Sequence, residues 1–119
     1  MLFFTAEQRQ QLLTNGQINI ERREAGLPGE DFRPVVKLFT PDAGCTWLLT
    51  EINPRDQDIA FGLCDLGQGD PELGTVSLAE LAEVRGWTKL PVERDLTFVA
   101  DRTLSAYAAD ARLLGRIAA

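Results

Sequence analysis

Histidine is absent from the 119-residue chain. Its absence excludes Ser-His-Asp and Cys-His catalysis, zinc sites with histidine ligands, and a pH switch based on an imidazole. Long hydrophobic runs are also missing, because no apolar stretch approaches the roughly 20 residues that cross a bilayer. The first ten residues lack the basic region and the cleavage site of a secretory signal. We therefore expect a cytoplasmic protein without a membrane segment.

Cysteine is scarce, with only Cys45 and Cys64, both in apolar stretches. Two thiols cannot make a closed four-ligand zinc site without other residues. A single disulfide is the alternative, but without an export signal we expect two reduced, buried and unreactive thiols. Asp65 stands next to Cys64 and opposes formation of its thiolate, which argues against a reactive cysteine there.

The length and the composition indicate one folded domain over residues 1–119, since two separate cores would each be too small. An apolar fraction of 45% and a charged fraction of 25% are typical of globular proteins and argue against disorder. No internal repeat or linker interrupts the chain.

The N-terminal third begins with a helix signal. Thr5 and Gln8 form a capping box, and Asn15-Gly16 is typical of a helix end. Residues 17–33 are charged and punctuated by glycine and proline, so we expect a loop or a short helical turn there.

The middle of the chain predicts strands. Residues 35–40 and 45–52 flank a four-residue turn signal and predict an antiparallel hairpin; residues 59–66 and 73–76 predict two more strands. Within residues 45–52, simple alternation puts one set of side chains on one face: Cys45, Trp47, Leu49 and Glu51. The other face receives Thr46, Leu48, Thr50 and Ile52. Neither face is polar throughout, so this strand is expected to be central and covered on both sides.

The last third predicts two helices and a strand. A second capping box at residues 77–80 opens a short helix, residues 96–100 alternate like a strand, and Thr103 precedes an amphipathic helix. The fold class is therefore α+β: a mostly antiparallel sheet of about four to five strands with an N-terminal, a short middle and a C-terminal helix. Trp47 and Trp87 are expected to be core anchors.

Charge is unevenly distributed. Lysine and arginine number 12 against 18 acidic residues, a net charge of -6, which argues against direct nucleic-acid binding. Between Leu38 and Val84 only Arg55 opposes nine acids. We expect most of them to form one acidic patch that attracts a basic protein. The partner-binding candidates are Asp42, Glu51, Asp56, Asp58, Asp65, Asp70 and Glu72. A solvated acidic surface that serves only solubility is the alternative.

Carboxylates are the only groups suited to acid–base or metal chemistry. Glu51, Asp65 and Glu72 are weak candidates for a Mg²⁺ or Ca²⁺ site, but the segment lacks the spacing of a calcium loop. We expect structural roles for them, and no metal or other cofactor. Gly67-Gln68-Gly69 lacks the Lys-Ser/Thr pair of a phosphate loop, which argues against nucleotide binding.

Four motifs carry a family resemblance: WLLTE, AFGLCDLG, PELG and ERDL. With the capped helix at the start, they make the chain, over residues 5–111, similar to the bacterial domain-of-unknown-function family DUF2958. The resemblance implies a cytoplasmic protein carried on plasmids, integrative elements and some phages. It implies no enzymatic reaction and no catalytic residue.

Three functions follow as hypotheses. The first is a non-catalytic protein-binding or accessory module of a mobile genetic element, whose acidic surface engages a basic partner. One version of it inhibits a host defence complex by mimicking the charge of DNA. The second is a small metal-dependent hydrolase or nuclease that uses Glu51, Asp65 and Glu72. The third is a structural homodimer formed through an exposed strand edge.

Overall fold

The computed structural model describes residues 3–119. The helices are α1 (Ala6–Glu24), α2 (Leu78–Glu83) and α3 (Leu104–Leu114). The strands are β1 (Val36–Phe39), β2 (Thr46–Ile52), β3 (Ile59–Asp65), β4 (Glu72–Ser77) and β5 (Glu93–Arg94). They form an antiparallel sheet in the order β4-β3-β2-β1-β5. The predicted α+β class is confirmed.

The central strand β2 separates two hydrophobic clusters. One face of the sheet packs Trp47 and Leu49 against Leu12 of α1, and the other packs Leu48 against Tyr107 of α3. Because helices cover both faces of the sheet, most residues of β2 are buried, and its sequence is apolar along most of its length. No helix in residues 3–119 is long and apolar enough to cross a bilayer.

Helix α1 is longer than predicted, because Asn15 and Gly16 lie inside it rather than at its end. A Cβ atom on Gly16 would stand 2.0 Å from the carbonyl oxygen of Ile52, so glycine lets the helix approach the backbone of β2. Asn15 Nδ2 donates to the carbonyl oxygen of Thr50 at 3.0 Å. These contacts with β2 outweigh the cost of about 1 kcal/mol for glycine within a helix.

The segment expected to be a loop divides into two parts. Residues 17–24 complete α1, whereas residues 25–35 are irregular. Hydrogen bonds tie the irregular part to its neighbours: Arg22 Nε donates to the carbonyl oxygen of Pro28 at 2.7 Å, and Leu104 N donates to that of Phe32 at 2.9 Å. Asp31 accepts from the backbone amide of Ser105 at 3.2 Å and so caps α3 from this segment.

The strand predicted over residues 96–100 is wrong. Only Glu93 and Arg94 pair with β1, as β5. Asp95 Oδ1 then accepts from the backbone amide of Thr97 at 3.0 Å, a local turn that ends the pairing. Beyond it, Phe98 and Ala100 pack against the α3 cluster without strand pairing, whereas Leu96 is exposed. The alternation therefore reflects burial at only two of its three apolar positions.

Candidate functional site

A β-bulge at Thr50 changes the face to which Glu51 belongs. Leu49 stands opposite Gly62 and Glu51 stands opposite Phe61, so Thr50 has no partner on β3. Ile52 therefore joins the α1 cluster, contrary to the predicted alternation. Glu51 is aligned with Phe61, which packs against the α3 cluster. The prediction that put Glu51 on the face of Trp47 is wrong for this reason.

Glu51 lines a pocket of about 380 Å³ between α1, the sheet and the start of α3. The C-terminal half of α1, residues 29–32, the ends of β2 to β4 and the start of α3 enclose it. Its apolar wall includes Ile20, Phe32, Ala60, Phe61, Leu73 and Leu104. The polar lining includes Asn19, Arg23, Glu30, Asp31, Thr75 and Ser105. A concave site that combines an apolar wall with polar and charged groups is suited to bind a ligand.

The Glu51 carboxylate is half-buried and has one hydrogen-bond partner in residues 3–119. Asn19 Nδ2 donates to Oε2 at 2.8 Å. Burial raises the pKa of Glu51, although the bond from Asn19 and the positive charge of Arg23 act in the opposite direction. The result is a carboxylate that is short of partners and faces a cavity, which suits it to receive a cationic group.

Asn19 holds both the carboxylate and the wall of the pocket. Its Oδ1 accepts from the backbone amide of Glu30 at 2.7 Å, and its Nδ2 lies 3.3 Å from the carbonyl oxygen of Glu30. The same Nδ2 binds Glu51. One buried amide side chain thus fixes the segment at residues 29–32 relative to β2 and orients Glu51.

The predicted partner-binding acids do not form one patch. Asp42, Asp65, Asp70 and Glu72 lie at the end of the sheet where β1 meets β2 and β3 meets β4. Asp56 and Asp58 lie in the β2–β3 turn at the opposite end. A seven-residue strand separates the two groups by roughly 20 Å. Glu80 and Glu83 lie on α2.

Three of these acids hold the fold together. Asp42 accepts from the backbone amide and the hydroxyl of Thr88, and these bonds lower its pKa. Asp58 accepts from Ser77 Oγ at 2.6 Å and from the amide of Ala79 at 2.8 Å, which lowers its pKa in the same way. Asp65 is buried and accepts from the amide of Ile117 at 2.9 Å. Each of these carboxylates accepts hydrogen bonds from the protein itself, although Asp42 Oδ1 is buried without a partner within residues 3–119.

The weak metal candidates are not brought together. Phe61, the partner of Glu51 on β3, lies four residues before Asp65, which corresponds to roughly 13 Å along the strand. Glu72 stands opposite Cys64, at the end near Asp65. Residues 3–119 contain no group of three or more Asp, Glu or Cys side chains that could hold a metal ion.

Trp87 and the cysteines also differ from expectation. Trp47 is buried, but Trp87 is 88% exposed because it lies at the tip of a hairpin that the Arg85–Pro91 bridge closes. Both cysteines are free and half-buried rather than fully buried. Burial raises the pKa of Cys64 to about 11, so its thiol stays protonated at neutral pH.

Sequence reasoning selected Glu51 but missed the residues that make its site. Asn19, Arg23 and Phe32 all lie within residues 17–33, the segment predicted to be a loop or a short helical turn. The helical spacing of Asn15, Asn19 and Arg23 was the available signal, since residues four apart share one helix face. The bulge at Thr50 leaves no mark in the sequence that distinguishes it from regular alternation.

A five-stranded antiparallel sheet with helices on both faces and a polar pocket at one end defines the protein as a small α+β domain. The family model for the protein of unknown function DUF2958 matches residues 3–118. The chain therefore belongs to this family, which confirms the resemblance seen in its sequence. No match to the chain is found among curated proteins or among solved structures.

Proposed function

We propose that this protein is a non-catalytic binding module that engages a basic partner protein, and that Glu51 is the anchor of the interaction. The observation that carries the proposal is the half-buried Glu51 carboxylate, bound on one oxygen by Asn19 and open to the pocket. A partner's arginine or lysine side chain supplies the missing positive charge. Their methylene groups suit the apolar wall formed by Ile20 and Phe61.

The energetic argument rests on partial burial. Ion pairs on an open surface contribute about 0–1 kcal/mol, because water screens both charges. Partial burial in the pocket has already removed part of the hydration of Glu51, and this loss of hydration is what raises its pKa. A cation that enters therefore relieves an existing cost and forms a charge-assisted hydrogen bond. Arg23 at the rim favours a single cation over a cluster of them.

Long-range attraction supports the same kind of partner. Residues 56–84 contain seven acidic side chains and no lysine or arginine. Such a segment speeds the approach of a basic protein even where individual carboxylates serve the fold. The DNA-mimic version gains no support, because acids at two ends of the sheet do not reproduce a continuous row of phosphates. An accessory role on a mobile element in the cytoplasm remains part of the proposal, and the two free thiols are consistent with that setting.

The test compares the binding of a short, end-blocked peptide of alternating valine and arginine to two variants. Glu51→Gln keeps the shape and the bond to Asn19 but removes the charge. Glu83→Gln removes one charge from an exposed position on α2, a helix that does not line the pocket. We expect Glu51→Gln to weaken binding by about tenfold or more and Glu83→Gln by less than about twofold at physiological salt. Equal losses in the two variants would contradict the anchor.

A further inference from the structure

Strand β4 forms one edge of the sheet, and its outer backbone groups have a definite pattern. The amide of Leu78 donates to the carbonyl oxygen of Asp58 at 2.8 Å, so these two residues form a hydrogen-bonded pair. Hydrogen-bonded pairs recur at every second residue of an antiparallel ladder. In the register of β3 and β4 they therefore fall at Val76, Gly74 and Glu72. Leu73 and Thr75 direct their amide and carbonyl groups outward. Ser77 directs its amide outward, whereas its carbonyl group, at the N-cap position, begins the hydrogen bonding of α2.

This edge is uncovered in residues 3–119, where the outward backbone groups of Leu73 and Thr75 bond to no neighbouring strand or loop. Proteins usually protect an edge strand with lysine, proline or a bulge. Here β4 spans six residues in regular register with β3, and it contains neither lysine nor proline. Leu73 and Thr75 also belong to the wall of the Glu51 pocket. The edge and the pocket are thus one continuous surface.

We propose that the β4 edge receives an extended, basic segment of the partner protein as a sixth strand of the sheet. The inference rests on the proposed function, and it names the form in which the partner binds. Backbone hydrogen bonds to Leu73, Thr75 and Ser77 provide affinity that is independent of side chains, as in other cases of strand addition. The acidic residues around the edge select basic side chains on the added strand.

Charge also decides between a different protein and a second copy of this chain. β4 carries one acid, Glu72, and the residues around it from 56 to 84 add six more acids and no lysine or arginine. Two copies paired along β4 would therefore bring two negative surfaces together, which disfavours their association. The same charges attract lysine and arginine, so the occupant is a basic segment of another protein.

The direct test is hydrogen exchange of backbone amides on the full-length protein. The probe is the end-blocked peptide of alternating valine and arginine, and the control peptide carries glutamate in place of arginine. With saturating valine–arginine peptide, we expect exchange at Leu73, Thr75 and Ser77 to slow by about tenfold or more. Gly74 and Val76 already bond to β3 and change little. Unchanged exchange at the three outward amides, or equal slowing with the glutamate peptide, overturns the proposal.

A variant provides a second measurement. Thr75→Pro removes an outward amide without removing a bond to β3, and proline is tolerated on strand edges. Thr75→Ala is the matched control for loss of the side chain. We expect Thr75→Pro to bind the peptide at least tenfold more weakly than the unmodified protein, and Thr75→Ala less than about twofold more weakly. Equal affinity in the two variants overturns strand addition, and if Thr75→Pro does not fold, exchange in the unmodified protein decides.

Two outcomes separate this inference from the proposed function. If Glu51→Gln abolishes peptide binding to a protein whose edge amides never become protected, the pocket is the site and the added strand is wrong. If the edge amides become protected and Glu51→Gln binds as tightly as the unmodified chain, the edge is the site and the anchor is wrong. A dimer in light scattering without peptide, with protected edge amides, shows a second copy on the edge and contradicts the inference.

Discussion

Asn15 of α1 binds the carbonyl oxygen of Thr50 at the β-bulge that directs Glu51 into its pocket. Gln11 Nε2 in turn donates to Asn15 Oδ1 at 2.8 Å and holds the amide in this orientation. The helix therefore satisfies the backbone group that the bulge removes from regular pairing. It is through this contact that α1, a remote element in the sequence, determines where Glu51 points.

Loss of the Asn15 side chain leaves a buried carbonyl group without its partner. We expect Asn15→Ala to lower the free energy of unfolding by about 1–3 kcal/mol, measured by urea denaturation. Gln10→Ala, on the exposed side of the same helix, is the control and should stay within about 0.5 kcal/mol. Equal changes in the two variants would mean that the contact with the bulge contributes nothing.

Two glycines that face each other across β3 and β4 provide a second comparison. A Cβ atom on Gly62 would stand 1.9 Å from the carbonyl oxygen of Leu48, whereas one on Gly74 would meet nothing within 4 Å. We expect Gly62→Ala to destabilise the protein by about 3 kcal/mol or more. Gly74→Ala should be neutral or stabilising by up to about 1 kcal/mol. Thermal or urea unfolding measures both, and a stable Gly62→Ala protein would refute the close approach of β2.

Glu51 should reduce stability when it is charged. Because burial raises its pKa in the folded protein, folding favours the protonated form, and the cost is fully present at pH values above the folded pKa. We expect Glu51→Gln to be more stable than the unmodified protein at pH 7, by less than about 1 kcal/mol since the group is half-exposed. The difference should shrink as pH falls through the folded pKa. A less stable variant at pH 7 would show that the carboxylate is already compensated.

The two tryptophans should behave oppositely. Trp47 is 2% exposed and Trp87 is 88% exposed. We expect Trp47→Ala to cost about 3–5 kcal/mol, and Trp87→Ala to stay within about 0.5 kcal/mol. In Trp87→Ala, where Trp47 is the single tryptophan, iodide should quench the fluorescence weakly. In the unmodified protein, iodide should quench the fluorescence of Trp87 strongly, and protection of Trp87 from iodide would contradict the exposed hairpin tip.

The sequence predicted the elements whose signals are local. Turn residues at 41–44 separated β1 from β2, Ser77 capped α2, and the stripe through Tyr107 identified α3. The errors occurred where a distant contact outweighs a local preference. Gly16 looks like a helix end until β2 is packed against it, and Trp87 looks like a core residue until a hairpin carries it into solvent.

The candidate site was predicted only in part for the same reason. The sequence identified Glu51 only as a member of an acidic segment. Its position in the pocket depends on the bulge at Thr50 and on the hydrogen bond from Asn19. Both depend on the packing of α1 against β2. Asp42, Asp58 and Asp65 are carboxylates of the same acidic segment as Glu51. Each of the three, however, accepts hydrogen bonds from backbone amides of its own chain. Counting charges cannot separate these two uses of a carboxylate.

The titration of the Glu51 side-chain carboxyl by carbon NMR, with and without the valine–arginine peptide, tests the central claim most directly. Without peptide, the pKa of Glu51 should lie above its ordinary value, because burial disfavours the charged form. A bound guanidinium stabilises the charged form, so the pKa should fall when the peptide is present, and peptide affinity should weaken as pH falls through the pKa. The same pKa in both titrations, with peptide demonstrably bound, would contradict Glu51 as the anchor.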